Sequence, residues 1–112
     1  MKLTIYHINS FTTQLKEGNP ACVIPLKKWL PNHTMLSVAK KMGMPETAFF
    51  IEQEDKIHLR WFTPEIEMDL CGHATLATAH CLKVHLNYKK EVIFFQTKSG
   101  ILKVNYSKGL YH

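Results

Sequence analysis

Three residues able to move protons stand beside apolar segments of this chain. Glu46 lies in Met44-Pro45-Glu46-Thr47-Ala48-Phe49-Phe50, where apolar neighbours surround it and a buried segment begins. A partly desolvated carboxylate suits general base or acid work near neutrality. The plainer reading is a solvated turn residue. Cys71, Gly72 and His73 open the run Ala74-Thr-Leu-Ala-Thr-Ala-His80, made almost wholly of small apolar residues. A helix there has no polar face for water and belongs inside a protein. Its unpaired N–H groups and partial positive charge suit a bound carboxylate and favour a thiolate at Cys71. Cys71 is therefore a candidate nucleophile or proton-abstracting base, or else a small hydrophobe closing the helix mouth. His73 could hydrogen-bond a substrate carboxylate or shuttle a proton, or simply cap the helix in solvent. Gly72 allows the backbone to approach a ligand closely.

Other chemistries find less support. His80, Cys81 and His85 could in principle meet a zinc ion, but neither a His-Glu-x-x-His nor a paired Cys-x-x-Cys spacing occurs, and no metal site is expected. Gly-rich phosphate loops and a Ser-centred nucleophile elbow are absent as well.

The elements that must position these residues follow from periodicity. Residues 2–9 alternate as a strand, and Lys16-Glu-Gly-Asn-Pro20 is turn chemistry. Ala21 to Leu26 is a second strand. Pro31-Asn32 starts a helix whose Met35, Leu36, Ala39 and Met42 share a face, and Gly43 stops it. Thr47 to Ile51 is a buried strand and Glu52-Gln-Glu-Asp55 a polar turn. Ile57, Leu59 and Trp61 line one face of the next strand, opposite His58 and Arg60. The helix opened by Gly72 runs to about His85. Val92–Gln96 and Ile101–Tyr106 form a last hairpin about Lys98-Ser99-Gly100. The order β-β-α-β-β-α-β-β predicts an α+β domain, with a curved mixed sheet, barrel-like, wrapped around the central apolar helix.

A length of 112 residues fits a single domain. Nearly half the residues are apolar, enough for a core, and no apolar run approaches the roughly 20 residues of a membrane span. The opening residues run straight into a strand pattern without the features of a secretory signal. Cys22, Cys71 and Cys81 are an odd set without framework spacing, so a reducing, cytoplasmic setting is expected. The net charge of +5 is unevenly placed. Lys83, Lys89, Lys90, Lys98, Lys103 and Lys108 face Glu91 alone in the last thirty residues. These lysines alternate with strand-core residues and include no Arg, so a solvated strand face is expected rather than nucleic-acid binding.

Three segments together resemble the phenazine-biosynthesis PhzF-like family, relatives of diaminopimelate epimerase. They are Phe11-Thr12 through Gly18-Asn19-Pro20-Ala21-Cys22-Val23, Met42-Gly-Met-Pro-Glu-Thr-Ala-Phe49, and Leu59-Arg-Trp-Phe-Thr-Pro64 through Asp69-Leu-Cys-Gly-His-Ala-Thr75. They occur in the family's order and spacing, and the resemblance runs from about Ile5 to Tyr111. It implies two similar domains, each a sheet wrapped round a central helix, with two helix mouths holding a substrate carboxylate between them. Residues 1–112 would be the N-terminal domain alone; the second domain's Asp and Gly-Ser helix mouth are not in this sequence. The implied chemistry is cofactor-independent proton transfer, giving isomerisation or epimerisation of a small carboxylate-bearing substrate.

By this resemblance Glu46 matches the proton-moving glutamate. Gly72 and His73, with Asn19, match substrate-contacting positions. Cys71 lies where the epimerase relatives keep one of their two catalytic cysteines. A half-built cleft implies pairing with a second copy, as a homodimer, or with a separate second half. The alternative is a non-catalytic module whose exposed face binds a partner.

Overall fold

The computed structural model describes residues 3–9, 20–53, 56–69, 72–86, 88–107 and 110–111. Eight strands and two helices follow one another: β1 (Tyr6–Asn9), β2 (Pro20–Pro25), α1 (Asn32–Met42), β3 (Glu46–Gln53), β4 (Lys56–Phe62), β5 (Glu67–Met68), α2 (Gly72–His80), β6 (Val92–Thr97), β7 (Gly100–Ser107) and β8 (Leu110–Tyr111). A π-helical turn, Cys81–His85, continues α2 to the residue at which the sequence predicts its end.

The strands form one mixed sheet in the order β1-β2-β3-β4-β6-β7-β8, with β5 added to β4. The pairs β2–β3 and β4–β6 are parallel. Parallel neighbours need a crossover, supplied by α1 and α2 respectively. The order of the sheet corrects the barrel-like closure expected from the sequence. Among the described residues β1 pairs with β2 and β8 with β7, and β1 and β8 stand at the two ends of the strand order without pairing to each other.

The first strand is also shorter than its alternation predicts, and Pro25 explains why. The Leu26 N–H bonds the Phe50 carbonyl at 2.8 Å, toward β3. Alternation therefore turns position 25 toward β1, where proline has no N–H to give. The β1–β2 ladder ends at the Tyr6–Val23 pair.

Both faces of the sheet carry apolar cover. Residues paired in register share a face. Ile8, Ala21, Val23, Ala48, Phe50, Ile57, Leu59, Trp61, Ile93, Phe95 and Val104 form one buried cluster with Ala74, Ala77, Ala79, Cys81 and Leu82. Every side chain from Ala74 to Leu82 is buried or half-buried. Thr78 is accommodated because its hydroxyl donates to the Ala74 carbonyl at 2.7 Å. On the opposite face Ile24, Phe49 and Phe62 pack against Met35 and Ala39 of α1. Two covered faces explain why β3 reads as a continuous apolar run instead of an alternating one.

The ends of α1 behave as its sequence predicts. The Pro31 carbonyl accepts from Thr34 and Met35, and Gly43 takes the left-handed conformation at φ 66° while its N–H bonds the Ala39 carbonyl.

Candidate functional site

Glu46 is the first residue of β3, immediately after Pro45, and pairs in register with Ala21 of β2. Alternation along β3 places Glu46 with Ala48 and Phe50 on the α2 face of the sheet. Its Oε1 atom is buried and has no hydrogen-bond partner among the described residues. A buried carboxylate oxygen in that state costs free energy, and native proteins keep such groups for a reason.

The chain reaches α2 by way of β5. Met68 of β5 pairs with Trp61, which in turn pairs with Ala48, two residues from Glu46. Four peptide steps separate Met68 from Gly72, so the helix begins at most roughly 14 Å from the Met68 Cα. Gly72 and His73 are the first two residues of α2. Their N–H groups carry the positive end of the helix dipole. Asn19 and Cys71 lie outside the described residues.

A polar network ties down the segment that leads into α2. Arg60 Nε and Nη2 donate to the two carboxylate oxygens of Glu67 at 2.7 and 2.8 Å, and Nη2 also donates to Asn32 Oδ1 at 2.8 Å. Lys98 Nζ reaches Glu67 Oε1 at 3.2 Å. The Ser99 hydroxyl donates to the Asp69 carbonyl at 2.6 Å, two residues before Cys71. The Arg60 hydrogen bonds, and secondarily Lys98, hold the Glu67 carboxyl below its ordinary range. Thr63 closes the intervening turn, its hydroxyl accepting from the backbone N–H groups of Glu65 and Ile66. Of the three acidic residues Glu65, Glu67 and Asp69 in this segment, the Arg60 fork takes Glu67.

Cys22 sits at the same end of the sheet as Glu46, paired with Thr47, but its side chain alternates onto the opposite face. It is fully buried there, 3.6 Å from His7 Nδ1, and burial pushes its thiol up. Cys81 is likewise fully buried, and burial raises its thiol to about 11. Both changes oppose thiolate chemistry. His80 and His85 meet edge-on with ring centroids 6.1 Å apart, and His85 stacks on Tyr6 at 5.3 Å. Among the described residues no three His, Cys, Asp or Glu side chains are grouped to hold a metal ion. A groove of about 520 Å³, lined by Leu3, Thr4, Pro25, Leu26, Lys27, Lys28 and Leu30, opens at the opposite end of β2. Four residues of strand, roughly 13 Å, separate Pro25 from the Ala21–Glu46 pair. No helix of the described residues is long and apolar enough to cross a membrane.

The profile of the PhzC-PhzF family, described as phenazine biosynthesis-like protein, matches residues 8–110. An uncharacterized isomerase of Pseudomonas aeruginosa is 44% identical over 104 residues, covering 93% of this chain and 40% of the relative. The crystal structure of a PhzF-family phenazine biosynthesis protein from Enterococcus faecalis superposes with a TM-score of 0.92 at 41% identity, over 99% of this chain and 43% of that one. A predicted epimerase from Pseudomonas aeruginosa shares the fold at a TM-score of 0.80 and 19% identity, over 98% of this chain and 41% of that one. The chain thus spans about two-fifths of the length of these relatives.

Proposed function

Because the chain belongs to the PhzC-PhzF family of phenazine biosynthesis-like proteins, we propose that it forms the glutamate-bearing half of a cofactor-independent isomerase. The observation that carries this reading is the buried, unpartnered Oε1 of Glu46 on the sheet face that α2 covers. The isomerase names of relatives 44% and 46% identical support it.

In the proposed reaction Glu46 takes a proton from a carbon beside a carbonyl or carboxyl group of a small carboxylate-bearing substrate. The C–H bond breaks, a Glu46 O–H bond forms, and the electron pair moves onto the neighbouring oxygen. Glu46 then returns the proton to another carbon or another face. Gly72 and His73, with Asn19, hold the substrate carboxylate. The α2 dipole favours the negative charge that develops. Cys71 stays a secondary candidate for the same proton. The domain is read as a sheet curled round α2, leaving the helix mouth as one wall of a cleft. The opposite wall comes from a second copy or from a separate second half, and closing it excludes water from the transfer. The buried thiols of Cys22 and Cys81 suit a reducing, cytoplasmic setting.

Solvent-deuterium incorporation into substrate tests the assignment. In the assembled enzyme Glu46→Gln abolishes exchange and Cys71→Ala leaves it in place; exchange surviving in the Glu46 variant refutes the role.

A second reading, a non-catalytic binding module, draws on the outer face of the last hairpin, where Phe94 is 41% and Ile101 53% exposed. Sedimentation with a small-carboxylate binding screen separates the two. A dimer that binds such a ligand favours the enzyme, and a monomer that binds none favours the module.

A further inference from the structure

The groove beyond the end of the β1–β2 ladder has apolar walls and a cationic rim. The ladder stops at the Tyr6–Val23 pair, short of Pro25. Leu3 and Thr4, which precede β1, line the space of about 520 Å³ together with Pro25, Leu26 and Leu30 from the end of β2 and the residues after it. Leu3, Leu26 and Leu30 are half-buried and pack against the cluster of Ile24, Met35, Ala39, Phe49 and Phe62. The core therefore fixes these walls, and the volume falls within the roughly 300–1,000 Å³ of small-molecule sites.

The other two lining side chains, Lys27 and Lys28, carry charge of one sign. Both are exposed, and among the described residues neither ammonium has an ion pair or a hydrogen bond. No carboxylate is among the described residues that line the groove. Residues 18–45 hold Lys27, Lys28, Lys40 and Lys41 and not one Asp or Glu. An acidic peptide or a nucleic acid would meet the lysines and leave the leucines uncovered. A neutral hydrocarbon would do the reverse. An occupant that matches both has an apolar body and an anionic head. Such an occupant does not meet Glu46, because β2 runs from the Ala21–Glu46 pair at one end to Pro25 at the other.

We propose that this groove is a separate binding site for a medium-chain alkyl carboxylate. The chain lies along Leu3, Leu26 and Leu30, and the head pairs with Lys27 and Lys28. The site does not depend on the proton-transfer reading above. Most of its affinity comes from the chain: each buried CH₂ strengthens binding about fourfold, whereas an exposed ion pair adds at most about fivefold.

Protein labelled with ¹⁵N at leucine and glycine, titrated with sodium octanoate, tests this. The amides of Leu3, Leu26 and Leu30 are expected to shift saturably. Leu59 and Leu82, buried in the other cluster, and Gly72 are expected to stay still. Sodium decanoate, longer by two CH₂ groups, is expected to bind about tenfold tighter. Octanamide, of the same length without the charge, is expected to bind severalfold more weakly than octanoate. The double variant Lys27→Ala, Lys28→Ala alters exposed side chains and is expected to erase the difference between octanoate and octanamide. Glu46→Gln is expected to leave octanoate affinity unchanged.

If Gly72 moves and the groove leucines do not, the carboxylate goes to the helix mouth; this inference fails and the proton-transfer reading stands. Silence at every one of these amides overturns the groove site alone. Equal affinity for octanoate and octanamide in the wild-type protein overturns the anionic ligand class. Groove leucines that respond to protein concentration or to phosphatidylglycerol vesicles, and not to octanoate, assign the groove to a second copy or to a lipid surface and overturn the inference. The wild-type comparison of octanoate, decanoate and octanamide needs no variant.

Discussion

Arg60 grips Glu67 with two parallel hydrogen bonds, from Nε and Nη2 to the two carboxylate oxygens, across the β4–β5 turn. The guanidinium also lies 5.3 Å from the Trp29 ring and 5.7 Å from that of Phe62. The pair is mostly shielded from water, with side-chain exposures of 19% and 12%. Such a fork fixes direction as well as distance. It anchors the segment that delivers the chain to Gly72.

Arg60→Ala is expected to lower stability by about 1–3 kcal/mol in urea denaturation, since the Glu67 carboxylate loses its main partner. Arg60→Lys is expected to recover only part of this, because an ammonium cannot reproduce the fork. Full recovery by lysine would mean that charge alone matters.

Acid should weaken the fold through Glu67. Its carboxyl is held below the ordinary 4.5 first by the Arg60 hydrogen bonds, so the folded state binds the proton less readily than the unfolded chain. The stabilisation is complete above 4.5 and is lost as pH falls from there through the lowered folded value. Glu67→Gln is expected to flatten this part of a stability-versus-pH curve measured by urea unfolding.

His80 adds a second pH dependence, at higher pH. Burial first, and the charge of His85 second, lower its proton affinity from the ordinary 6.5. Above 6.5 neither the folded nor the unfolded chain carries that proton. As pH falls through 6.5 the unfolded chain takes it up first, and stability declines until the folded value is passed. His80→Gln is expected to remove this slope, as read from thermal unfolding at a series of pH values.

The close approach of α2 to the sheet depends on its alanines. Ala77 is fully buried among residues from both sides of the sheet order. Ala77→Leu is expected to cost about 1–3 kcal/mol by overpacking, measured by calorimetry. An unchanged melting temperature would show spare room beneath the helix.

Much of this architecture could be read from local chemistry. Pro31 and Gly43 bracket α1 because each acts on its own backbone. Ile57, Leu59 and Trp61 declare one face of β4 because a strand repeats every two residues. What stayed hidden was non-local. Nothing near Glu67 announces that Arg60, seven residues earlier, will single it out and pin a two-residue strand. The parallel neighbours β2–β3 and β4–β6 depend on crossovers, and the early end of β1 depends on a proline in another strand. At the site, an acidic residue beside apolar neighbours marked Glu46.

The parallel seam between β4 and β6 joins residues about forty positions apart, through the pairs Ile57–Phe95 and His58–Gln96. Ile93, Phe95 and Val104, which complete the cover over Ala74, Ala77 and Ala79, come from the last fifth of the sequence. During translation α2 therefore leaves the ribosome before its lid exists. Its greasy surface waits for the hairpin, so the nascent chain passes through a stage that invites chaperones, and a late stop codon would strand it there.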